Sequence, residues 1–140
     1  MGVRSVLIED SYFDGSFTIA GTANDTGGLV GNLRGVPSTI TLQFESSYSY
    51  IRNVSIGTPP VPIPASVRAF VGGHSTSSPT YVLNDNYFTA PAAVTEVLPV
   101  VSPTATNLSA GNAVLESSYV GFDFTTVWSI DEGVNPPRLD

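Results

Sequence analysis

Three tyrosine-bearing units recur along the chain at nearly constant spacing. Ser11-Tyr12-Phe13, Ser47-Tyr48 and Asn86-Tyr87-Phe88 each follow an aliphatic-polar approach, with Tyr12, Tyr48 and Tyr87 separated by 36 and 39 positions. Glycine corners fall between them, at Gly27-Gly28 with Gly31 in 27-GGLVG-31, and again at Gly72-Gly73. A unit of this length cannot bury its own apolar face, whereas stacked units share one core. The spacing therefore predicts the coils of a β-solenoid, with Tyr12, Tyr48 and Tyr87 as candidates for a repeated core row. The imperfection of the repeats leaves an ordinary β-sandwich as the alternative.

The local pattern is β throughout most of the chain. In 38-STITLQFESSYSY-50, Ile40, Leu42 and Phe44 alternate with Thr39, Thr41, Gln43 and Glu45, the pattern of a half-buried strand. The segment 6-VLIEDSYFDGSFTIAG-21 mixes aliphatic, aromatic and β-branched residues, with a turn expected at Asp14-Gly15. Further β units are expected in 51-IRNVSIG-57, 67-VRAFVGG-73 and 80-TYVLNDNYF-88. Between them 58-TPPVPIPASV-67 carries four prolines, which cannot sit in a central ladder and should run along an edge or outside the body. The glycines of 27-GGLVG-31 do not form a phosphate loop. Neither common phosphate motif is present, lysine is absent, and 31-GNLRGVPSTITLQF-44 reads as turn and strand where a helix should open.

Composition narrows the partners. A chain of 140 residues suits one domain with a continuous core. With five basic groups, twelve acidic groups and a net charge of -7, it lacks the basic stripe that follows a phosphate backbone, so nucleic acid is not an expected partner. No cysteine is available for a disulfide or thiolate metal site. Apolar runs such as 97-VLPVV-101 are too short to span a bilayer, so membrane insertion is not expected. The N-terminus lacks a cleavable apolar segment and enters a strand pattern almost at once, which suggests a first coil that abuts something.

The order of these motifs resembles the GLUG-motif repeats of bacterial surface and secreted adhesin-like proteins. The residues 8-IEDSYFDGSFT-18 followed by 27-GGLVG-31 are similar to the first coil of that pattern. The stretch 46-SSYSYIRNVSIG-57 with 70-FVGG-73 departs from it through its prolines and the loss of the Leu-Val-Gly order. The stretches 84-NDNYF-88, 119-YVGFDFTTVWSIDEG-133 and 135-NPPRL-139 look like the region that follows such repeats. The resemblance implies an all-β fold: a short right-handed parallel β-solenoid of about three irregular coils with a C-terminal helix and aromatic cap. It divides a single domain, 1–140, into coils (1–88), a variable insert with a short helix (89–118) and a terminal cap (119–140). The helix falls on 108-LSAGNAVLESS-118, where Ser109 can cap and Leu108, Val114 and Leu115 can share a side, although Gly111 lowers the propensity. Phe122, Phe124, Trp128 and Ile130, with Val127, form the expected cap over an open core; an exposed ligand platform is the functional alternative.

Catalytic signals are sparse. Glu9-Asp10 and Asp131-Glu132 are adjacent carboxylates, but adjacency alone does not build the paired site of a glycosidase. His74 is the only histidine; it precedes the Ser/Thr-rich 75-STSSPT-80 and has neither a Gly-x-Ser-x-Gly elbow nor a second histidine beside it. Acidic residues flank an apolar strand in 123-DFTTVWSIDE-132 without the spacing of an EF-hand, so no metal or other cofactor is expected. Asn24, Asn53 and Asn107 head formal N-glycosylation triplets. The expectation is a non-enzymatic adhesion or structural module at the cell surface or outside the cell. It would contact other coils, copies or structural proteins through end or edge contacts, with a surface glycan as a further partner. A structural subunit of a surface or virion assembly, and a carbohydrate-binding or carbohydrate-active β-helix fragment, are the alternatives.

Overall fold

The computed structural model describes residues 4–19, 26–33, 40–56, 67–74, 79–92, 94 and 105–140. A first coil runs through β1 (Arg4–Glu9), β2 (Tyr12–Ile19), β3 (Thr26–Gly27) and β4 (Val30–Leu33). A second repeats it as β5 (Ile40–Glu45), β6 (Tyr48–Ile56), β7 (Val67–Arg68) and β8 (Val71–His74). The third opens with β9 (Thr80–Asn84) and β10 (Tyr87–Thr89), and β11 (Thr106–Asn107) adds a short rung. The C-terminal segment ends in the antiparallel hairpin of β12 (Trp128–Asp131) and β13 (Asn135–Leu139).

All pairings between coils are parallel, giving a solenoid-like arrangement. One sheet has the order β1-β5-β9 and a second β11-β10-β6-β2, while the glycine corners make the two-stranded stacks β3-β7 and β4-β8. Parallel strands need long crossovers; here each crossover is the rest of a coil. In the β1-β5-β9 sheet, Val6, Leu42 and Tyr81 form one column and Ile8, Phe44 and Leu83 another. Leu42, Phe44 and Tyr81 join Ala69, Phe70, Val71 and Phe88 in the core between the sheets, so the alternation read in 38–50 is the inward-outward alternation of β5.

A polar column turns the chain from the first sheet into the second. Asp10, Ser46 and Asp85 occupy equivalent corners, and all three have positive φ, at 44°, 44° and 52°. The residues that follow them bind the backbone they have just left: Ser11 and Ser47 hydroxyls donate to the Glu9 and Glu45 carbonyls, and the Asn86 amide donates to the Asn84 carbonyl. The column is also linked from coil to coil, since the Ser11 N–H donates to Ser47 Oγ (3.2 Å) and the Ser47 N–H to Asn86 Oδ1 (3.1 Å). These side chains hold a backbone conformation that costs non-glycine residues energy, and they satisfy buried donors and acceptors at the bend.

Two expectations are corrected. Among the described residues there is no α-helix, and therefore no C-terminal helix cap. Residues 108–118 start as foreseen, with the Asn112 N–H donating to Ser109 Oγ and the Ala113 N–H to the Ser109 carbonyl. The turn fails to propagate because Leu115 is extended, at φ -113° and ψ 121°, and only a 3-10 turn follows at Glu116–Ser118. One turn with Gly111 inside it does not repay helix nucleation. The turn expected at Asp14-Gly15 is also absent: both residues lie within β2, the register shifts beyond Gly15, and the bend is at Asp10. Residues 58–66 of the proline-rich stretch lie outside the described residues, and its last residue, Val67, opens β7.

Candidate functional site

Alternate residues of β2, β6 and β10 go to opposite faces of their sheet. Phe88 enters the core between the sheets, while Tyr12, Tyr48 and Tyr87, paired in register, form an aromatic row with the C-terminal segment. The expected repeat row thus exists as a row, set against residues 108–130. Tyr12 and Tyr48 stack at 6.1 Å between centroids, and Tyr48 meets Tyr119 edge-on at 5.5 Å. Tyr87 packs edge-on against Tyr119 and Phe122, and Trp128 against Tyr12. Edge-on and offset contacts suit the ring quadrupoles, so this row contributes more than its buried area alone.

Each tyrosine hydroxyl in the row has a partner. Tyr48 donates to Thr89 Oγ1 (3.0 Å), Tyr119 to the Ala113 carbonyl (2.7 Å), and Tyr12 to Asp14 Oδ2 (3.0 Å). The Tyr87 hydroxyl donates to the Val120 carbonyl and accepts from the Val120 N–H. Burial disfavours the phenolate, pushing Tyr48 up to about 12 and raising Tyr12, Tyr87 and Tyr119 as well. At neutral pH the row is uncharged and acts through packing and hydrogen bonds.

The cap candidates lie along this row. Trp128 is fully buried, while Phe122, Phe124 and Ile130 are half-buried against it. The segment also reaches the corner column in all three coils: Trp128 Nε1 faces Asp10 Oδ1 at 3.4 Å, and Ser46 Oγ donates to the Gly121 carbonyl at 3.2 Å. Asp85 packs so close to Gly121 that a Cβ there would lie 2.5 Å from its carboxylate, and Gly121 also has φ +85°. The segment therefore spans the coils sideways, where the sequence suggested closure of an end.

The corner candidates have a steric role. A Cβ on Gly27 would fall 2.7 Å from the Phe70 carbonyl oxygen and still nearer to the Gly72 nitrogen, so the two glycine corners stack backbone to backbone. The Gly28 N–H donates to the Arg68 carbonyl, and the Leu29 and Val30 N–H groups converge on the Phe70 carbonyl. Gly31 lies in β4, and Gly72 and Gly73 lie in β8. The structure does not bring these glycines together with the aromatic row at one site.

A cavity of about 510 Å³ opens beside the row, lined by Glu116, Ser117, Tyr119, Phe122, Phe124 and Glu132. Tyr119 and Phe122 are 5.2 Å apart, and Phe124 lies 6.1 Å from Phe122 and 6.2 Å from Tyr119. The Glu116 N–H donates to Glu132 Oε2 at 2.9 Å, fixing one carboxylate at the rim. Phe122 and Phe124 are legible in the sequence as cap or platform, and Tyr119 and Glu132 share their terminal segment, whereas Glu116 lies in the insert before it. Their meeting depends on the hairpin folding back, where the Gly133 N–H donates to the Val114 carbonyl, a link no sequence spacing displays.

Two further carboxylates, Asp14 and Asp123, hold local structure. Asp14 pairs with Arg52, and its hydrogen bonds raise the Arg52 pKa; the guanidinium also lies 4.7 Å from the Tyr50 ring centre. Asp123 is held below the usual carboxylate range by hydrogen bonds from Thr126 and Thr125. Among the described residues no group of three or more His, Cys, Asp and Glu side chains is placed to hold a metal ion. The backbone of His74 ends β8, and its neighbours 75–78 lie outside the described residues. Asn53 bonds Ser55, and Asn107 lies in β11, while Asn24 is outside the described residues. No helix among the described residues is long and apolar enough to cross a membrane. Comparison with protein-family models, curated proteins and solved structures finds no match.

Proposed function

We propose that this all-β repeat module is a non-catalytic structural or adhesion element of a cell surface, which joins a neighbouring copy through its first coil. The observation that carries this reading is an unequal inward column: Val6 is 43% exposed, while Leu42 and Tyr81 in the same column are 4% and 5% exposed. The third coil is finished by residues that follow it, with Ala90 and Ala105 packed against the central core. The first coil has no such cover among the described residues, and β1 is paired only to β5. Leu7, pointing to the other face, adds to the exposed apolar surface at this end. A paired-on-one-side strand bearing apolar residues is a template for further strand pairing. The GLUG-like motif order, which belongs to surface and secreted proteins, supports the cell-surface setting.

Light scattering across a range of protein concentrations tests the reading. Association that rises with concentration and is lost in Val6→Lys is the expected result. A chain that is monomeric at every concentration, with Val6→Lys unchanged in mass and solubility, overturns it.

A further inference from the structure

The cavity beside the tyrosine row is not explained by association through the first coil. It lies on the C-terminal segment, and its lining has an unusual polarity. Three aromatic rings, Tyr119, Phe122 and Phe124, meet within 6.2 Å of one another, and the only charged side chains that line the cavity with them are Glu116 and Glu132. Ring faces carry negative electrostatic potential, and carboxylates accept hydrogen bonds without donating any. Of the two lining hydroxyls, that of Tyr119 is committed to the Ala113 carbonyl, which leaves Ser117 as the donor side chain. The volume of about 510 Å³ is that of a recess open to solvent, large enough for a small organic cation that keeps part of its surface hydrated.

We infer that this cavity binds an alkylammonium group, with the cation against Phe122 and Phe124 and its charge balanced by Glu116 and Glu132. The complementarity ranks the ligand classes. An anion would meet two carboxylates and no basic side chain. A neutral sugar stacks on the rings and donates hydroxyls to both carboxylates but gains nothing from their charge, and it is the competitor that the test separates. A cation gains from both parts of the lining, through the ring quadrupoles and through the carboxylates, and the net charge of -7 favours its approach. The hydrogen bond from the Glu116 N–H to Glu132 Oε2 holds that carboxylate in place before any ligand arrives. Phe122 stacks on Trp128 at 4.5 Å between centroids, so occupancy of the cavity is reported to the only tryptophan in the chain.

Tryptophan fluorescence of the intact chain, titrated at constant ionic strength, is the test. The probes are choline chloride for a quaternary ammonium and n-butylammonium chloride for a primary one; 3,3-dimethylbutanol is the neutral shape control for choline, and glucose is the sugar control. The expected result is a saturable change with at least one cation, much weaker with either neutral compound. The cation that binds more tightly identifies which kind of ammonium group the site serves. Combining Glu116→Gln with Glu132→Gln keeps the side-chain shape and an acceptor for the Glu116 N–H. It is expected to weaken the cation about fivefold, the scale of losing two exposed ion pairs, without changing the near-ultraviolet circular dichroism of the aromatic row. Phe124→Leu is expected to weaken it similarly. The inference is overturned if neither cation gives a saturable change, if the neutral control or glucose binds as well as the cations, or if the folded double variant binds them as the parent does.

Discussion

The two sides of the coil stack that interrupt its core are finished differently. Along its flank, the tyrosine row meets a segment that supplies Tyr119, Phe122 and Trp128 and leaves Tyr48 and Trp128 fully buried. At the first-coil end, Val6 occupies an inward column and remains 43% exposed. The same stacking pattern thus yields a closed surface where residues 108–140 return to it and an open one where nothing among the described residues does. The difference teaches that the terminal segment braces the coils against one another without sealing the stack axially. It touches the first coil through Trp128 and Asp10, the second through Tyr119 and Ser46, and the third through Tyr87 and Asp85.

Substitutions that act on the flank should have the largest effects. Tyr48→Ala or Trp128→Ala, each removing a fully buried ring, is expected to cost about 3–5 kcal/mol in chemical denaturation. A smaller loss than about 1 kcal/mol would mean that the segment merely rests on the coils. The inward column gives the sharpest internal contrast. Leu42→Ala should cost about 2–5 kcal/mol and Val6→Ala less than about 1 kcal/mol, because only the former leaves a cavity; equal costs in dilute monomer would remove the distinction between covered and open coils.

The corner column comes next. Asn86→Ala strips a partner from the Ser47 N–H and from the Phe44 and Asn84 carbonyls, and should destabilise the fold by about 1–3 kcal/mol in thermal or denaturant unfolding. Arg52→Ala should cost less than about 1 kcal/mol, since its ion pair with Asp14 is largely in solvent.

The flank also sets the alkaline limit. Tyr48 rises from 10.0 to about 12 because burial penalises its phenolate, so the folded chain holds that proton where the unfolded chain releases it. The stability from its burial is complete below pH 10 and falls as pH rises towards 12, with the other raised tyrosines adding to the loss. Tyrosinate absorbance from Tyr12, Tyr48, Tyr87 and Tyr119 should therefore appear together with unfolding. Ionisation of the row in a chain that stays folded near pH 11 would contradict its burial.

Much of the stack was legible in the sequence because each coil repeats local chemistry. The 36- and 39-residue tyrosine intervals are the register of Tyr12 with Tyr48 and Tyr48 with Tyr87, and the alternation of Ile40, Leu42 and Phe44 is the pleat of β5. The corners were harder to read. Asp14-Gly15 carries a stronger turn signal than Asp10, Ser46 or Asp85, but their left-handed conformations are held by Ser11, Ser47 and Asn86 across neighbouring coils, information absent from any single window. The helix expected over 108–118 failed for a related reason: the Glu116 N–H is committed to Glu132 and the Val114 carbonyl to the Gly133 N–H, contacts with the returning hairpin that favour an irregular path over a continued turn. The cavity was hidden because Glu116 and Glu132 meet only after the hairpin returns.

Hydrogen exchange of the intact chain and of Trp128→Ala tests the sideways brace most directly. The account expects the amides at the second-coil corner, including Ser47 and Tyr48, to exchange slowest and those of β1 to exchange faster than those of β5; loss of Trp128 should accelerate exchange around Asp10, Ser46 and Asp85 together. Acceleration confined to β9, β10 and β11, with β1 as protected as β5, would contradict the account and restore the segment to the role of an end cap.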